Sequence, residues 1–218
     1  MSDTPVAISP LGDSAITLTF GSRVAPGIQR RVRLAAERMR TAGIDGVREV
    51  VAAYSALTVF YDPLRVAYDA LASRLQQMAG TDGPDSTLPT PREFRFRVQY
   101  DGEDLRQVAE RTGLDVADVI ARHAAPWYEV GLVGFAPGFA YLGALDPALV
   151  LPRRAEPRPR VPAGAVAIGG AHTGVYPFAT PGGWHLIGRT DAVLFDPHRA
   201  EPALLRVGDR VRFEPVSP

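Results

Sequence analysis

Few side chains in this sequence can do chemistry at neutral pH. The four histidines are His123, His172, His185 and His198, and no two stand four apart as ligands on one helix turn. Cysteine is absent, and so is lysine: all 24 basic residues are arginine. A thiol nucleophile, a disulfide and a thiolate metal site are thereby excluded. A lysine Schiff base and the Gly-Lys-Ser/Thr of a P-loop are excluded as well. No metal ligand set is visible.

Four stretches remain as candidates. His123 ends "DVADVIARHA" and shares a face with Val116, Val119 and Ile120 by i+3 and i+4 spacing. It therefore points inward at a helix C-terminus, where the dipole favours the imidazolium and burial the neutral ring. Two readings stand for it, a satisfied core histidine and a proton-transfer group. "AHTGVYPFATPGGWHLIGRT", residues 171–190, is the densest polar-aromatic region. Gly182 and Gly183 allow close backbone approach and can turn N–H groups to an anion. Arg189 suits a two-pronged carboxylate contact, and Tyr176 and Trp184 each join an apolar body to a hydrogen-bonding tip. The plainer reading is a tight turn followed by a strand. "LPRRAEPRPRVPAGAVAIGG", residues 151–170, carries Arg153, Arg154, Arg158 and Arg160 among prolines that hold it extended. It either brings arginines to a charged substrate or is a stiff solvated connection. "GFAPGFAYLG", residues 134–143, holds three aromatics and no charge. It is too apolar for an ordinary loop, and Pro137 and Gly138 disqualify it as a regular strand.

The elements that must position these residues fall into two sets. "GTDGPDSTLPTPRE", residues 80–93, lacks apolar periodicity and reads as a linker. The division expected is a small domain over residues 1–82, a linker over 83–92 and a second domain over 93–218. Before the linker, Ser14–Phe20 alternates as a strand. "APGIQRRVRLAAERMRTAG" follows as a helix with Ile28, Val32, Ala35, Ala36 and Met39 on one face and Gly43 closing it. "VREVVAAY" and "ALTVFYD" read as strands, and "PLRVAYDALASRLQQM" as a helix with Pro63 near its first turn. This order gives an α+β domain, helices on one face of an antiparallel sheet. After the linker, "EFRFRVQY" reads as a strand. Helices follow around Asp104–Arg111 and Val116–His123, with Asp115 and Asp118 placed as N-cap and first-turn acid. Then "VAIGG", "WHLIGR", "AVLFD" and "DRVRF" read as short strands of a β-barrel or sandwich, with "RVGDRVRF" turning into the closing one.

Acidic and basic residues balance at 24 each, and no basic run is interleaved with aromatics. That argues against a nucleic-acid partner. No apolar window of about 18 residues would span a membrane, and "MSDTPVAISPLGD" has neither the basic start nor the apolar run of a signal peptide. A cytoplasmic protein is expected.

Taken together, "GFAPGFAYLGAL", "LPRRAEPRPRVPAGAVAIGGAHTGVYPFATPGGWHLIGRT", "LFDP" and "LLRVGDRVRF" resemble the family of 5-oxoprolinase B subunits, also called allophanate hydrolase subunit 1, which includes histidine-kinase inhibitors of sporulation. "LGDSAITLTFG" and "VREVVAAYSALTVFYDP" are similar to its N-terminal blocks, so the resemblance covers nearly the whole chain. It implies a small α/β N-terminal domain followed by a cyclophilin-like β-barrel. It implies two partners, a companion C subunit and a third, A-type one. With them it implies ATP-dependent opening of 5-oxoproline to glutamate in the complex, with this chain inactive alone. Two other family activities stay open: inhibition of a histidine kinase, and carboxyl transfer as in urea carboxylase. Under this resemblance His123 and Arg189 are the catalytic candidates. Phe135, Phe139, Tyr141, His172, Tyr176, Gly182, Gly183 and Trp184 are the substrate-binding ones. The aromatics line a barrel rim or an interface with the companion, or else plug one end of the barrel. The chain departs from the family pattern at His172, where glutamine is usual, which makes hydrogen bonding rather than proton transfer the expected role. It departs also at Ala124, where threonine is usual, and at Ser55 and Ala56, where an Arg-Ser pair is usual.

Overall fold

The structure is a computed structural model describing residues 5–22, 25–80 and 88–216. Contacts divide the chain into two compact units, residues 1–90 and 91–218.

The first unit is a four-stranded antiparallel sheet with two helices. In chain order its elements are β1 (Ala7–Pro10), β2 (Ala15–Thr19), α1 (Pro26–Thr41), β3 (Val47–Ala53), β4 (Ala56–Tyr61) and α2 (Tyr68–Gly80), and the sheet order is β1-β2-β4-β3. Alternation decides which face is buried: Ile16 and Leu18 of β2 and Leu57, Val59 and Tyr61 of β4 point into the core. α1 packs against β3, β4 and α2. It buries Val32, Ala35, Ala36 and Met39 of the expected face, and Leu34 besides. Gly43, at φ +51°, follows its C-cap.

One expectation fails in this unit. Pro63 does not open α2, which begins five residues later at Tyr68. The Asp62 side chain accepts the Leu64 N–H at 3.0 Å and its carbonyl accepts the Arg65 and Val66 N–H groups, so an isolated turn forms first. The edge strand β1, with Ser9 and Pro10 in it, adds to the expected strands; proline is tolerated there because an edge strand has unpaired N–H positions. Residues 81–87 of the expected linker lie outside the described residues, and 88–92 have no regular structure.

The second unit is a mixed sheet curled almost into a barrel. It comprises β5 (Glu93–Val98), α3 (Leu105–Thr112), α4 (Val116–Ala124), β6 (Tyr128–Val133), β7 (Ala140–Gly143), β8 (Arg158–Val161), β9 (Ala165–Gly169), β10 (His172–Val175), β11 (Thr180–Gly182), β12 (His185–Arg189) and β13 (Arg210–Pro215). Seven strands run in the order β12-β9-β10-β7-β6-β13-β5, and β8 pairs with β11 separately. β13 lies parallel to β5, with Val211 opposite Phe94 and Phe213 opposite Phe96, while its other neighbour β6 is antiparallel. The two edges meet where Gln99 and Arg189 exchange backbone N–H···O bonds of 2.9 Å each. Phe96, Val98, Tyr128, Val130, Leu142, Val166, Ile168, Ile187, Val211 and Phe213 share one core, to which α3 brings Val108 and α4 brings Val119. "AVLFD" is not a strand: within it only Phe195 makes a bridge, to Ala203. The Arg92 guanidinium grips Asp209 at the turn before β13, with Nε 3.1 Å from Oδ1.

The seam tolerates no side chain at Gly188, where a Cβ would lie 2.6 Å from the Gln99 carbonyl oxygen. Gly188→Ala is expected to cost about 2 kcal/mol or more. Gly27→Ala, on α1 where a Cβ meets nothing within 4 Å, should be neutral or stabilising by about 0.5–1 kcal/mol. Urea unfolding of both variants checks the contrast.

Candidate functional site

His123 is the last-turn residue that periodicity turned inward, and the structure buries it completely. The Thr173 hydroxyl donates to the Ala167 carbonyl at 3.0 Å, so at 2.8 Å from His123 Nε2 it is the acceptor of an Nε2–H bond. Nδ1 is then bare and accepts from the Tyr100 hydroxyl at 2.7 Å. Phe213 stacks on the ring at 4.6 Å, and the Tyr128 hydroxyl donates to the His123 carbonyl. One proton satisfies both nitrogens. Burial pushes the imidazole down to about 3 and pushes the Tyr100 and Tyr128 hydroxyls up, so all three stay neutral. Of the two readings, the geometry matches the satisfied core histidine.

Arg189 lies at the seam. Its backbone closes the barrel, and its exposed guanidinium reaches Gln99 Oε1 at 3.0 Å and Asp101 Oδ2 at 2.9 Å. It is not beside the aromatic residues that the sequence grouped with it.

Those aromatics do come together, on the face of the sheet opposite the main core. The loop "GFAPGF" connects β6 to β7 and is closed by the Gly134 N–H donating to the Phe139 carbonyl at 3.0 Å. Phe139 is buried at the centre, with ring centroids 5.4 Å from Phe135, 5.1 Å from Tyr141, 5.3 Å from Tyr176 and 5.4 Å from Trp184, all edge-to-face. Tyr141 also meets Trp184 at 5.6 Å and His172 at 6.1 Å. The floor is made of glycine: a Cβ on Gly169 would stand 2.6 Å from the Trp184 ring, and one on Gly174 3.2 Å from Phe139. Ala165, Ala167 and Leu186 complete this second core. Gly182 serves the same end, because a Cβ there would lie 2.3 Å from the Tyr176 hydroxyl. The Gly183 carbonyl accepts the Arg154 N–H at 2.8 Å.

What this face presents outward is narrower than the sequence suggests. Tyr176 and Trp184 are buried, Tyr141 and His172 are half-buried, and Phe135 is 63% exposed. Phe135 adopts φ +73°, a left-handed conformation costly for a residue with a side chain, by about 1–3 kcal/mol. Burial first, and Arg153 second, hold the His172 imidazole below its usual value. Burial raises the Tyr176 hydroxyl. The result is a neutral, rigid aromatic surface with His172 at its edge, fit to bind a partner or a flat ligand.

Sequence reasoning passed over Asp104, Arg111 and His185. Asp104 is buried before α3, and its Oδ2 accepts the Leu186 N–H at 2.7 Å. Its Oδ1 accepts Arg154 Nη1 at 3.0 Å and Arg158 Nη2 at 2.7 Å. An acid before a helix signals an N-cap, but this one makes no cap bond. His185 is buried in β12, with Nε2 2.9 Å from the Pro152 carbonyl and 3.5 Å from Arg111 Nη1. No cluster of potential metal ligands occurs among the described residues.

Two outcomes follow. Because the folded His123 titrates far below the unfolded value of 6.5, its contribution is complete above about pH 6.5 and is lost as pH falls toward 3. Between about pH 5.5 and 4.5, unfolding free energy should drop roughly 1 kcal/mol per pH unit more steeply in the parent than in His123→Gln, measured by urea titration. Gly169→Ala should displace Trp184 and shift its fluorescence while lowering stability by about 1–3 kcal/mol.

Comparison with known proteins places this architecture. The family described as carboxyltransferase domain, subdomains C and D, matches residues 6–205. The 5-oxoprolinase B subunit of Escherichia coli O157:H7 is 43% identical over 209 residues, 94% of each chain. That of Bacillus subtilis (strain 168) is 37% identical, covering 96% of this chain and 92% of its own. Among solved structures, TTHA0988 aligns with a TM-score of 0.82 at 43% identity, over 94% of this chain and 40% of that one. PH0987 from Pyrococcus horikoshii aligns at 37% identity with a TM-score of 0.56, over 96% and 97% of the two chains. The Kluyveromyces lactis urea carboxylase shares the fold, with a TM-score of 0.78 at 20% identity, over all of this chain and 22% of that one. No helix among the described residues is long and apolar enough to cross a membrane. The chain belongs to the carboxyltransferase-domain family of subdomains C and D, and within it to the group of the 5-oxoprolinase B subunits.

Proposed function

We propose that this chain is the B subunit of an ATP-dependent 5-oxoprolinase complex that hydrolyses 5-oxoproline to glutamate in the cytoplasm. The observation that carries the reading is 43% identity to the E. coli 5-oxoprolinase B subunit across 94% of both chains. We read its barrel as cyclophilin-like and its partners as the C and A subunits of the same complex.

The geometry supports a chain that is inactive alone. His123 has both nitrogens occupied inside the core, and Arg189 is engaged at the seam. In our reading the aromatic face, with Phe135, Tyr141 and His172 accessible, either contacts a companion subunit or forms one wall of a shared pocket. ATP would convert the amide oxygen into a leaving group. With the γ-phosphoryl group on that oxygen and ADP released, water adds at the ring carbonyl carbon, the C–N bond breaks with the nitrogen taking a proton, and a second water splits the resulting acyl phosphate into glutamate and inorganic phosphate. This chain's part is to position and to exclude water. Without lysine it has no P-loop of its own, so the nucleotide is assigned to a companion. A second reading, a carboxyltransferase component, draws on the description of the matching family; it requires a biotinylated protein as donor.

The test is glutamate formation from 5-oxoproline and ATP by the candidate companion subunits with and without this chain. Turnover only in the complete set supports the reading. Turnover unaffected by omitting this chain, or by this chain alone, sinks it. Phe135→Ala should lower the complete set's rate at least about tenfold while lowering the lone chain's stability by no more than about 1.5 kcal/mol, the worth of its edge-to-face contact with Phe139.

A further inference from the structure

An open groove of about 420 Å³ is lined by Gln107 and Arg111 of α3, by Arg153, Arg154 and Glu156 of the proline-rich segment, and by His185 of β12. Three guanidiniums and an imidazole face it against a single carboxylate. Glu156 forms no ion pair among the described residues, and neither do Arg111 and Arg153. Arg154 is tied to Asp104, but that carboxylate is already shared: Arg154 and Arg158 divide one oxygen and the Leu186 N–H takes the other. Arg154 Nε and Arg158 Nη1 remain buried donors with no acceptor.

Arg111 gains nothing from its neighbour. The carbonyl of Pro152, 2.9 Å away, fixes the hydrogen of His185 on Nε2, so the Arg111 N–H group 3.5 Å from that nitrogen meets a donor rather than a lone pair. In that tautomer Nδ1 of His185 is a lone pair, a buried acceptor without a partner. The donor and charge excess of the groove therefore comes from its arginines, three guanidiniums against the one carboxylate of Glu156. A buried donor left unpaired is costly, and Arg154 Nε is one such donor on a residue that lines the groove.

We propose that this groove binds a small oxyanion, a carboxylate or a phosphate, gripped by the Arg111 and Arg153 guanidiniums with Arg154 behind them. A planar guanidinium matches either oxyanion through two parallel bonds. Arg153 also acts on the ionisation of His172 and Tyr176, so the anion would sit beside the aromatic face. The proline-rich arginine segment is then a binding element rather than a solvated connection. This inference concerns the chain by itself and does not rest on the oxoprolinase reading.

The test is calorimetric titration of the full chain, without its companions, using inorganic phosphate in one arm and 5-oxoproline in the other. Saturable binding at one site is expected in at least one arm, weakened by salt. Arg111→Ala and Arg153→Ala should each weaken it at least about tenfold. Arg160→Ala, an exposed arginine outside the groove, should leave it within about twofold. Saturation by phosphate alone identifies a phosphate site, and by 5-oxoproline alone a carboxylate site. No saturation with either probe up to about 10 mM, or equal losses in all three variants, overturns the proposal. Both groove arginines are exposed, and thermal melts confirm that their variants fold.

Discussion

The second unit depends on one buried carboxylate. Asp104 is 4% exposed, and a charge there is tolerable only with both oxygens engaged. Its main chain and side chain both clamp Leu186: the Asp104 N–H donates to the Leu186 carbonyl at 2.9 Å and Oδ2 accepts the Leu186 N–H at 2.7 Å. That fixes the start of α3 against β12. The other oxygen gathers Arg154 and Arg158, and Arg158 Nε also reaches Glu103 at 2.5 Å. An extended segment with four prolines between residues 152 and 162 has few backbone bonds to hold it, so these ion pairs set its course. Everything beside it inherits the placement: the Gly183 carbonyl that accepts Arg154 N–H, the Trp184 ring that follows, and the arginines that face the groove.

His123 plays the complementary part in the main core. It joins α4 to β10 through Thr173, to the segment after β5 through Tyr100, and to β13 by stacking on Phe213. The two polar nodes work by opposite means. Asp104 is held by two guanidiniums and a backbone N–H, whereas His123 gives up its charge because burial outweighs the helix-end dipole. A neutral ring that needs one donor and one acceptor is fully served by two hydroxyls. This is also why the histidine with the most suggestive position is not exposed for proton transfer, and why the polar chemistry of the unit lies elsewhere.

Much of this was legible in the sequence where the signal is local. Helix periodicity turned His123 inward and placed Asp115 as the N-cap, which does accept the Asp118 N–H at 2.7 Å. The composition of residues 134–143 marked an apolar segment unfit for regular structure; residues 134–139 form an aromatic-bearing turn, but 140–143 are strand β7, against that expectation. What failed depends on distant partners. Arg189 looks like a carboxylate clamp, but its strand meets Gln99, ninety residues away, and the seam claims it. Asp104 carries no local sign of its role, because only the fold brings Leu186 and two arginines to it. Gly182 looks like an anion-binding backbone, yet the space it leaves is filled by Tyr176. Which aromatic is inside and which outside could not be read either, because both faces of β9 are covered, one by each core, and alternation gives no contrast there.

The most direct measurement on this account is a double-mutant cycle between Asp104 and Arg158, by urea unfolding of the parent, Asp104→Ala, Arg158→Ala and the double variant. If the buried carboxylate organises the arginine segment, the two losses are strongly non-additive, with a coupling of about 2–3 kcal/mol. A coupling below about 0.5 kcal/mol, the value for independent surface positions, would contradict it.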